Sequence, residues 1–193
     1  MEIKKPVSDN PIPSHAKKVF KGQIFNVYQW EQQGYDGKIH IFEKLKRSDT
    51  ALIIPVTEDG KIIIARQEQP GVKPFAGLVG GRLDEGEEPL EAAKRELMEE
   101  TGYEAKEWLL FDSSQPVSKI DWAVYLFIAK GCKKVTEQNL DGAEKVEMLF
   151  INFNEFIEIT LGDESRDEWL KIKLLEARLD PVKMEALKKQ LGV

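Results

Sequence analysis

Gly81-Arg82-Leu83-Asp84-Glu85-Gly86-Glu87-Glu88-Pro89-Leu90-Glu91-Ala92-Ala93-Lys94-Arg95-Glu96-Leu97-Met98-Glu99-Glu100-Thr101-Gly102-Tyr103 reads as an acidic loop followed by one helix. Pro89 suits the first helical turn, where its missing N–H forfeits no bond, and Gly102 suits the left-handed residue that ends a helix. Leu90, Ala93 and Leu97 form an apolar stripe for packing inward. Beside that stripe Glu96, Glu99 and Glu100 stand at i, i+3 and i+4 and share one face. Carboxylates this close repel one another, and a divalent cation removes the repulsion. Hard oxygen donors with no His or Cys nearby imply Mg²⁺, with Mn²⁺ as a substitute, rather than zinc. A solvated acidic helix face would carry the same triplet. Two neighbours favour a site: Arg95, four residues before Glu99, is placed to orient a carboxylate, and Gly80-Gly81 lets backbone approach a ligand closely.

Outward from this segment, the chain reads as strands before the helix and as strands, then helices, after it. Residues 1–15 carry Pro6, Pro11 and Pro13 and read as an irregular arm. Val19–Gln32 and Lys38–Lys46 are rich in β-branched and aromatic residues around Asp36-Gly37, a hairpin signal. Ala51–Thr57 and Lys61–Arg66 flank the turn Glu58-Asp59-Gly60 and form a second hairpin. Strands are expected at Glu107–Phe111, Ala123–Ala129 and Val146–Ile151, and helices at Phe153–Ile159, Asp167–Arg178 and Pro181–Gln190. The expected fold is α/β (α+β): an α/β/α sandwich with a mixed sheet and an N-terminal antiparallel β extension. The expected division is residues 1–47 as arm and β unit, and 48–193 as the main domain.

Bulk properties narrow the function. A chain of 193 residues buries a real core. A formal net charge of -6 disfavours a bare polyanion such as duplex DNA, so no nucleic-acid partner is expected, and an anionic substrate needs a local cation. The lone Cys132 forms no intrachain disulfide and reads as a small packed hydrophobe. No run approaches the roughly 20 apolar residues of a membrane helix, and no apolar signal core opens the chain, so a cytoplasmic location is expected. His15 and His40 read as structural or exposed.

Taken at full length, Gly81, five residues, Glu87, seven residues, Arg95-Glu96-Leu97, one residue, Glu99-Glu100, one residue, Gly102-Tyr103 resembles the box of the Nudix hydrolases. Only Tyr103, where that family usually has an aliphatic residue, fits loosely. The N-terminal β unit, Ile53-Ile54-Pro55-Val56, Arg66-Gln67 and the late loop Leu140–Glu147 are similar to the ADP-ribose pyrophosphatase branch. The resemblance implies Mg²⁺-dependent cleavage of the diphosphate bond in a nucleoside diphosphate linked to a sugar or similar group, releasing nucleoside monophosphate. It implies Glu96 and Glu100 as the main metal ligands, Glu99 as an additional or bridging one, and the Gly80 carbonyl as another. Arg95 and Glu87 would hold loop and helix in register, and Glu144 would be the general base, with Glu147 its nearest competitor. Arg66 and Gly81 would meet substrate, and Tyr28 or Trp30 would stack on a base or pack the sheet. The branch also implies a homodimer that shares its N-terminal sheets. Two departures from the branch pattern, Gln69 in place of a second arginine and Gly77 in place of a glutamate, change the implied substrate pocket. The competing readings are a nucleoside triphosphate pyrophosphatase, against which the long N-terminal β unit argues, and a non-catalytic nucleotide-binding module, against which the complete set of box carboxylates argues.

Overall fold

The computed structural model describes residues 3–140 and 145–193. A first, antiparallel sheet holds β1 (Lys17–Lys21), β2 (Asn26–Gln33) and β3 (Ile39–Lys46). The run Val19–Gln32 is therefore split between two strands. Gly22 N–H donates to the Phe25 carbonyl at 2.9 Å and turns the chain there, a local reversal that the apolar pattern does not encode. Asp36-Gly37 makes the expected hairpin turn, with Gly37 in the left-handed region at φ 76°.

The main sheet is mixed. It contains β4 (Thr50–Thr57), β5 (Ile62–Glu68), the short β6 (Phe75–Gly77) and β7 (Val79–Arg82), and, after helix α1 (Pro89–Thr101), β8 (Tyr103–Glu104) and β9 (Glu107–Ser114). The two-residue strand β10 (Ile120–Asp121) leaves this sheet and pairs in parallel with β3, tying the first sheet to the rest. β11 (Val124–Lys134) and β12 (Lys145–Ile151) complete the main sheet, and α2 (Phe153–Leu161), α3 (Glu168–Leu179) and α4 (Pro181–Leu191) follow. Its path runs β12-β5-β4-β11-β8, with β4 and β11 parallel at the centre.

Strand alternation divides the core in two. Ala51 and Ile53 of β4, with Tyr125, Phe127 and Ala129 of β11, pack beneath Ala92, Ala93 and Leu97 of α1. Ile54 and Val56, with Leu126 and Ile128, face Phe156 of α2, Leu170 and Leu174 of α3 and Leu187 of α4. Residues one apart on a strand point to opposite faces, so this register alone makes the α/β/α sandwich. Cys132 is buried in the α1-side core as expected, and burial pushes its thiol up to about 11.

One largely buried acid fixes the strands that lead into the site. Asp167, just before α3, accepts the Leu78 backbone N–H at 3.0 Å, between β6 and β7. Burial pushes its carboxyl up to about 6 from an ordinary 3.8, against the pull of that N–H. The native state thus holds this proton more tightly than the unfolded chain does. Its contribution to stability is complete below about pH 4 and is lost as pH rises through about 6, at most about 3 kcal/mol. Asp167→Asn keeps an oxygen for Leu78 and removes the charge. It should stabilise the protein at pH 7.5 and flatten the stability profile between about pH 4 and 6, as read by urea unfolding. An unchanged profile would show that Asp167 is not the group responsible.

Candidate active site

The site grows from the first turn to the last of α1. Pro89 opens the helix and Gly102, at φ 74°, closes it, its N–H donating to the Met98 carbonyl at 2.8 Å. The segment after β11 then wraps that end. Val135 and Thr136 N–H donate to the Gly102 carbonyl, Asn139 N–H to the Glu99 carbonyl at 2.9 Å, and the Gln138 amide to the Glu100 carbonyl at 2.6 Å. These bonds take up carbonyls that a helix end leaves orphaned. They also bring Asn139 and Leu140 to the rim of a cavity of about 620 Å³, walled by Gly80–Glu85 and by Arg95, Glu96, Glu99 and Glu100.

Arg95 organises this wall. Its Nε and Nη2 form a fork on the two oxygens of Glu87, both at 2.9 Å. Nη1 reaches Glu96 at 2.8 Å and Glu99 at 3.0 Å, and Nη2 also donates to the Arg82 carbonyl at 3.0 Å. Glu87 in turn accepts the Asp84 N–H at 2.9 Å and so closes the loop onto the helix. The Arg95 fork holds Glu87 below the usual carboxylate range, whereas burial raises Glu96 in spite of Arg95. Glu100 accepts the Gly80 N–H at 3.0 Å.

Glycine is required twice. A β-carbon on Gly81 would lie 2.4 Å from Glu96 Oε1, so the missing side chain is the space that the carboxylate fills. Gly80 has φ 141°, and its β-carbon would lie 2.2 Å from the Ala51 carbonyl oxygen of the paired strand.

The donor set fits a hard divalent cation: carboxylates on the wall of one cavity, one of them largely buried and raised by that burial in spite of Arg95. As they stand, no three acids among the described residues converge on a single point. Arg95 and the Gly80 N–H occupy their oxygens instead.

The other expected residues fall elsewhere. Trp30, expected as a stacking platform or as packing, is 6% exposed, tilts against Phe42 at 6.2 Å and donates its indole N–H to Gln32, so it packs the sheet. Tyr28 lies under Lys18 at 5.7 Å, and Arg66 pairs with Glu164 at 3.4 Å; neither lines the cavity. Glu147 sits on β12 opposite Arg66. Glu144 lies outside the described residues. His40 pairs with Asp36 at 2.9 Å on the exposed hairpin.

A feature with no sequence signal stands beside the cavity. The guanidinium of Arg47 lies over Trp122 at 4.7 Å and Phe25 at 5.8 Å. Its Nε is hidden from solvent with no hydrogen-bond partner. Burial, then the nearby Arg82, pushes Arg47 below the usual arginine range. Pairing of β4 with β7 sets Arg82 opposite Thr50 and so brings residues far apart in sequence together. Two adjacent guanidiniums without a carboxylate partner among the described residues make a place for an anion.

A mixed sandwich, a loop–helix unit tied by one arginine and a stripe of glutamates on a cavity wall define a hydrolase of the Nudix class. The chain belongs to the Nudix family, whose domain matches residues 46–171. It is similar to an ADP-ribose pyrophosphatase of Bacillus subtilis (strain 168), 30% identical over 156 residues, 78% of this chain and 83% of that one. It is also similar to a methanol dehydrogenase activator of Bacillus methanolicus, 29% identical over 151 residues and 77% of each chain. A crystal structure of an ADP compounds hydrolase shares the fold, with a TM-score of 0.67 over 98% of both chains at 20% identity.

The two glycines predict opposite phenotypes. Gly81→Ala should leave the melting temperature within a few degrees of wild type while displacing Glu96 and weakening Mn²⁺ binding at least about tenfold. Gly80→Ala should lose several kcal/mol of stability, because its conflict is with backbone. Thermal unfolding together with Mn²⁺ titration reads both. Undiminished Mn²⁺ binding in Gly81→Ala would remove Glu96 from the proposed metal ligands.

Proposed function

We propose that this protein hydrolyses the diphosphate bond of a nucleoside diphosphate joined to a sugar or similar group, of the ADP-ribose class, and releases nucleoside monophosphate. The observation that carries this reading is the row of box glutamates around Arg95 on the wall of a cavity that Arg82 also lines, with Arg47 close to Arg82 and neither guanidinium paired with a carboxylate among the described residues. Carboxylates suit a cation and guanidiniums suit an anion, and a diphosphate held between them meets both. In this reading Glu96 and Glu100 are the main ligands of Mg²⁺, or of Mn²⁺ in its place, assisted by Glu99 and the Gly80 carbonyl. When bound, the cation supplies neutralising charge and Lewis acidity for attack on phosphorus. Arg95 and Glu87 keep the glutamates in place. Arg82 and Arg47 bind the part of the substrate farther from the metal, with Trp122 at its side. Water attacks one phosphorus, the bridging P–O bond breaks, and Glu144 of the late loop takes the proton. Asn139, bonded through its N–H to the end of α1, and Leu140 stand at the rim of the cavity and are the residues that precede that loop in sequence.

The proposed assembly is a homodimer in which residues 1–47 serve pairing and 48–193 catalysis. Val19, Phe20, Ile39 and Ile41 on the first sheet and Ile24 in its β1–β2 turn are all at least half exposed, which is apolar area suited to a second copy. Among the described residues, no helix is long and apolar enough to cross a membrane.

With ADP-ribose as substrate, AMP should be released only when a divalent cation is present, and chelation should abolish the reaction. Glu100→Gln should lower turnover at least about a hundredfold with the fold intact. Glu91→Gln should do little, since Glu91 pairs with Lys94 on the exposed side of the helix. Glu144→Gln should lower turnover by roughly 10²–10⁴-fold with substrate affinity largely kept, and part of the loss should return at higher pH. If Glu147→Gln shows that signature instead, the base is the later residue. Release of AMP under chelation would sink the metal reading. For the assembly, light scattering should give twice the chain mass, and a monomer that is active at assay concentration would contradict the dimer.

A further inference from the structure

Lys44 is 1% exposed, although it sits on β3 of a small, largely exposed sheet. A buried ammonium must hydrogen-bond to offset its lost hydration. Among the described residues its hydrogen-bond partners lie in the irregular N-terminal arm: Ser8 Oγ at 2.7 Å and the Asn10 carbonyl at 2.6 Å. Burial holds its pKa below the usual lysine range even though Asp121 and Asp9 favour the charge. The arm is tied down at further points. The Gln115 amide donates to the Pro6 carbonyl at 2.9 Å, and Lys5 reaches Asp49 at 2.9 Å and Asp121 at 3.6 Å. Ile3 packs against the same core cluster as Leu83 and Leu90, the one under α1.

Asp49 is where these ties meet the box. Its carboxylate accepts Lys5 and the Ala123 N–H, and its backbone carbonyl accepts the Leu83 N–H at 2.9 Å. Leu83 is the second residue of the loop between Gly81 and Glu87, and the loop's carbonyl at Arg82 is one of the Arg95 contacts. A continuous chain of contacts therefore runs from the arm through Asp49 to the loop that holds the glutamates.

We infer that residues 3–10 are a brace for the box loop, and that Lys5 and Lys44 are positioning residues for the metal site. The inference rests on the proposed reading of the box as a divalent-cation site. The arm touches Lys44 of the first sheet and Gln115 and Asp49 at the main one, fixes Asp49, and limits the freedom of Arg82–Glu87 relative to α1. A loop so held presents Gly80, Gly81 and Glu87 in one arrangement before any cation arrives, which lowers the ordering cost of binding. Loosening the brace leaves the ligands present and the core intact, but makes the cation pay to order them.

The test uses the full chain in three variants. Lys5→Ala/Gln115→Ala removes two outer tethers and buries no new group. Lys44→Met removes the inner one. Lys5→Arg keeps the charge beside Asp49. Mn²⁺ binding is measured by calorimetry without substrate, and amide hydrogen exchange is followed in 82–87. In the double variant and in Lys44→Met, Mn²⁺ affinity should fall roughly tenfold, the lower end of what outer partners of a metal site contribute. Exchange in 82–87 should quicken, while amides of β4 and β11 stay protected. Lys5→Arg should match wild type in both measurements. Unchanged Mn²⁺ affinity and unchanged 82–87 exchange in the double variant would overturn the brace even if Lys44→Met failed to fold. Because the binding measurement needs no substrate, a failure of the proposed hydrolysis would show separately, as normal Mn²⁺ binding without AMP release.

Discussion

Arg95 commits all three guanidinium nitrogens to the segment Arg82–Glu99: two to Glu87, one of which also meets the Arg82 carbonyl, and the third to both Glu96 and Glu99. Without it, the three acidic side chains of Glu87, Glu96 and Glu99 and a glycine-rich loop would have no common centre, and like charges would push the helix face and the loop apart. Partly buried ion pairs of this kind add little net stability, because desolvation offsets their attraction. Their value here is geometric. The planar fork fixes direction as well as distance, which an ammonium does not. The Gly81 space for Glu96, the Asp84–Glu87 closure and the Asp49–Leu83 bond all presuppose the loop position that this guanidinium sets.

Around that centre the fold supplies rigid support from three directions. The α1-side core, with Ala92, Ala93 and Leu97 fully buried, anchors the helix. Pairing of β7 with β4 anchors the loop's start, and the segment 135–140 caps the helix end. Glu96, Glu99 and Glu100 line the cavity together with Arg82, and Arg47 lies near Arg82, neither guanidinium having a carboxylate partner among the described residues. In a chain of net charge -6, these two guanidiniums give an anionic substrate a reason to enter at this place.

Much of this could be read from sequence because it is local. Pro89 and Gly102 bound the helix as helix chemistry requires, the i, i+3, i+4 spacing put three glutamates on one face, and both hairpin turns fell at their Asp-Gly and Glu-Asp-Gly signals. The box spacing carried the family. What could not be read depends on pairing between distant segments. β6, β7 and β10 are too short to show a period, and the split of Val19–Gln32 rests on one turn. Arg47 gains its role only because Phe25, Arg82 and Trp122 converge on it, and the burial of Lys44 depends on the path of an irregular arm. Trp30 was ambiguous for a related reason: aromatic residues on a strand look alike whether they face a ligand or a neighbouring ring, and here the neighbour is Phe42.

The central claim is that Glu96 and Glu100 hold a divalent cation in a frame set by Arg95. Electron paramagnetic resonance of Mn²⁺, titrated into wild type, Glu96→Gln and Arg95→Lys, tests it most directly. The account predicts that the free Mn²⁺ signal is quenched by wild type and largely restored in Glu96→Gln. Arg95→Lys, which keeps the charge and loses the fork, should bind at intermediate strength. Equal quenching by all three proteins would place the cation elsewhere and contradict the account.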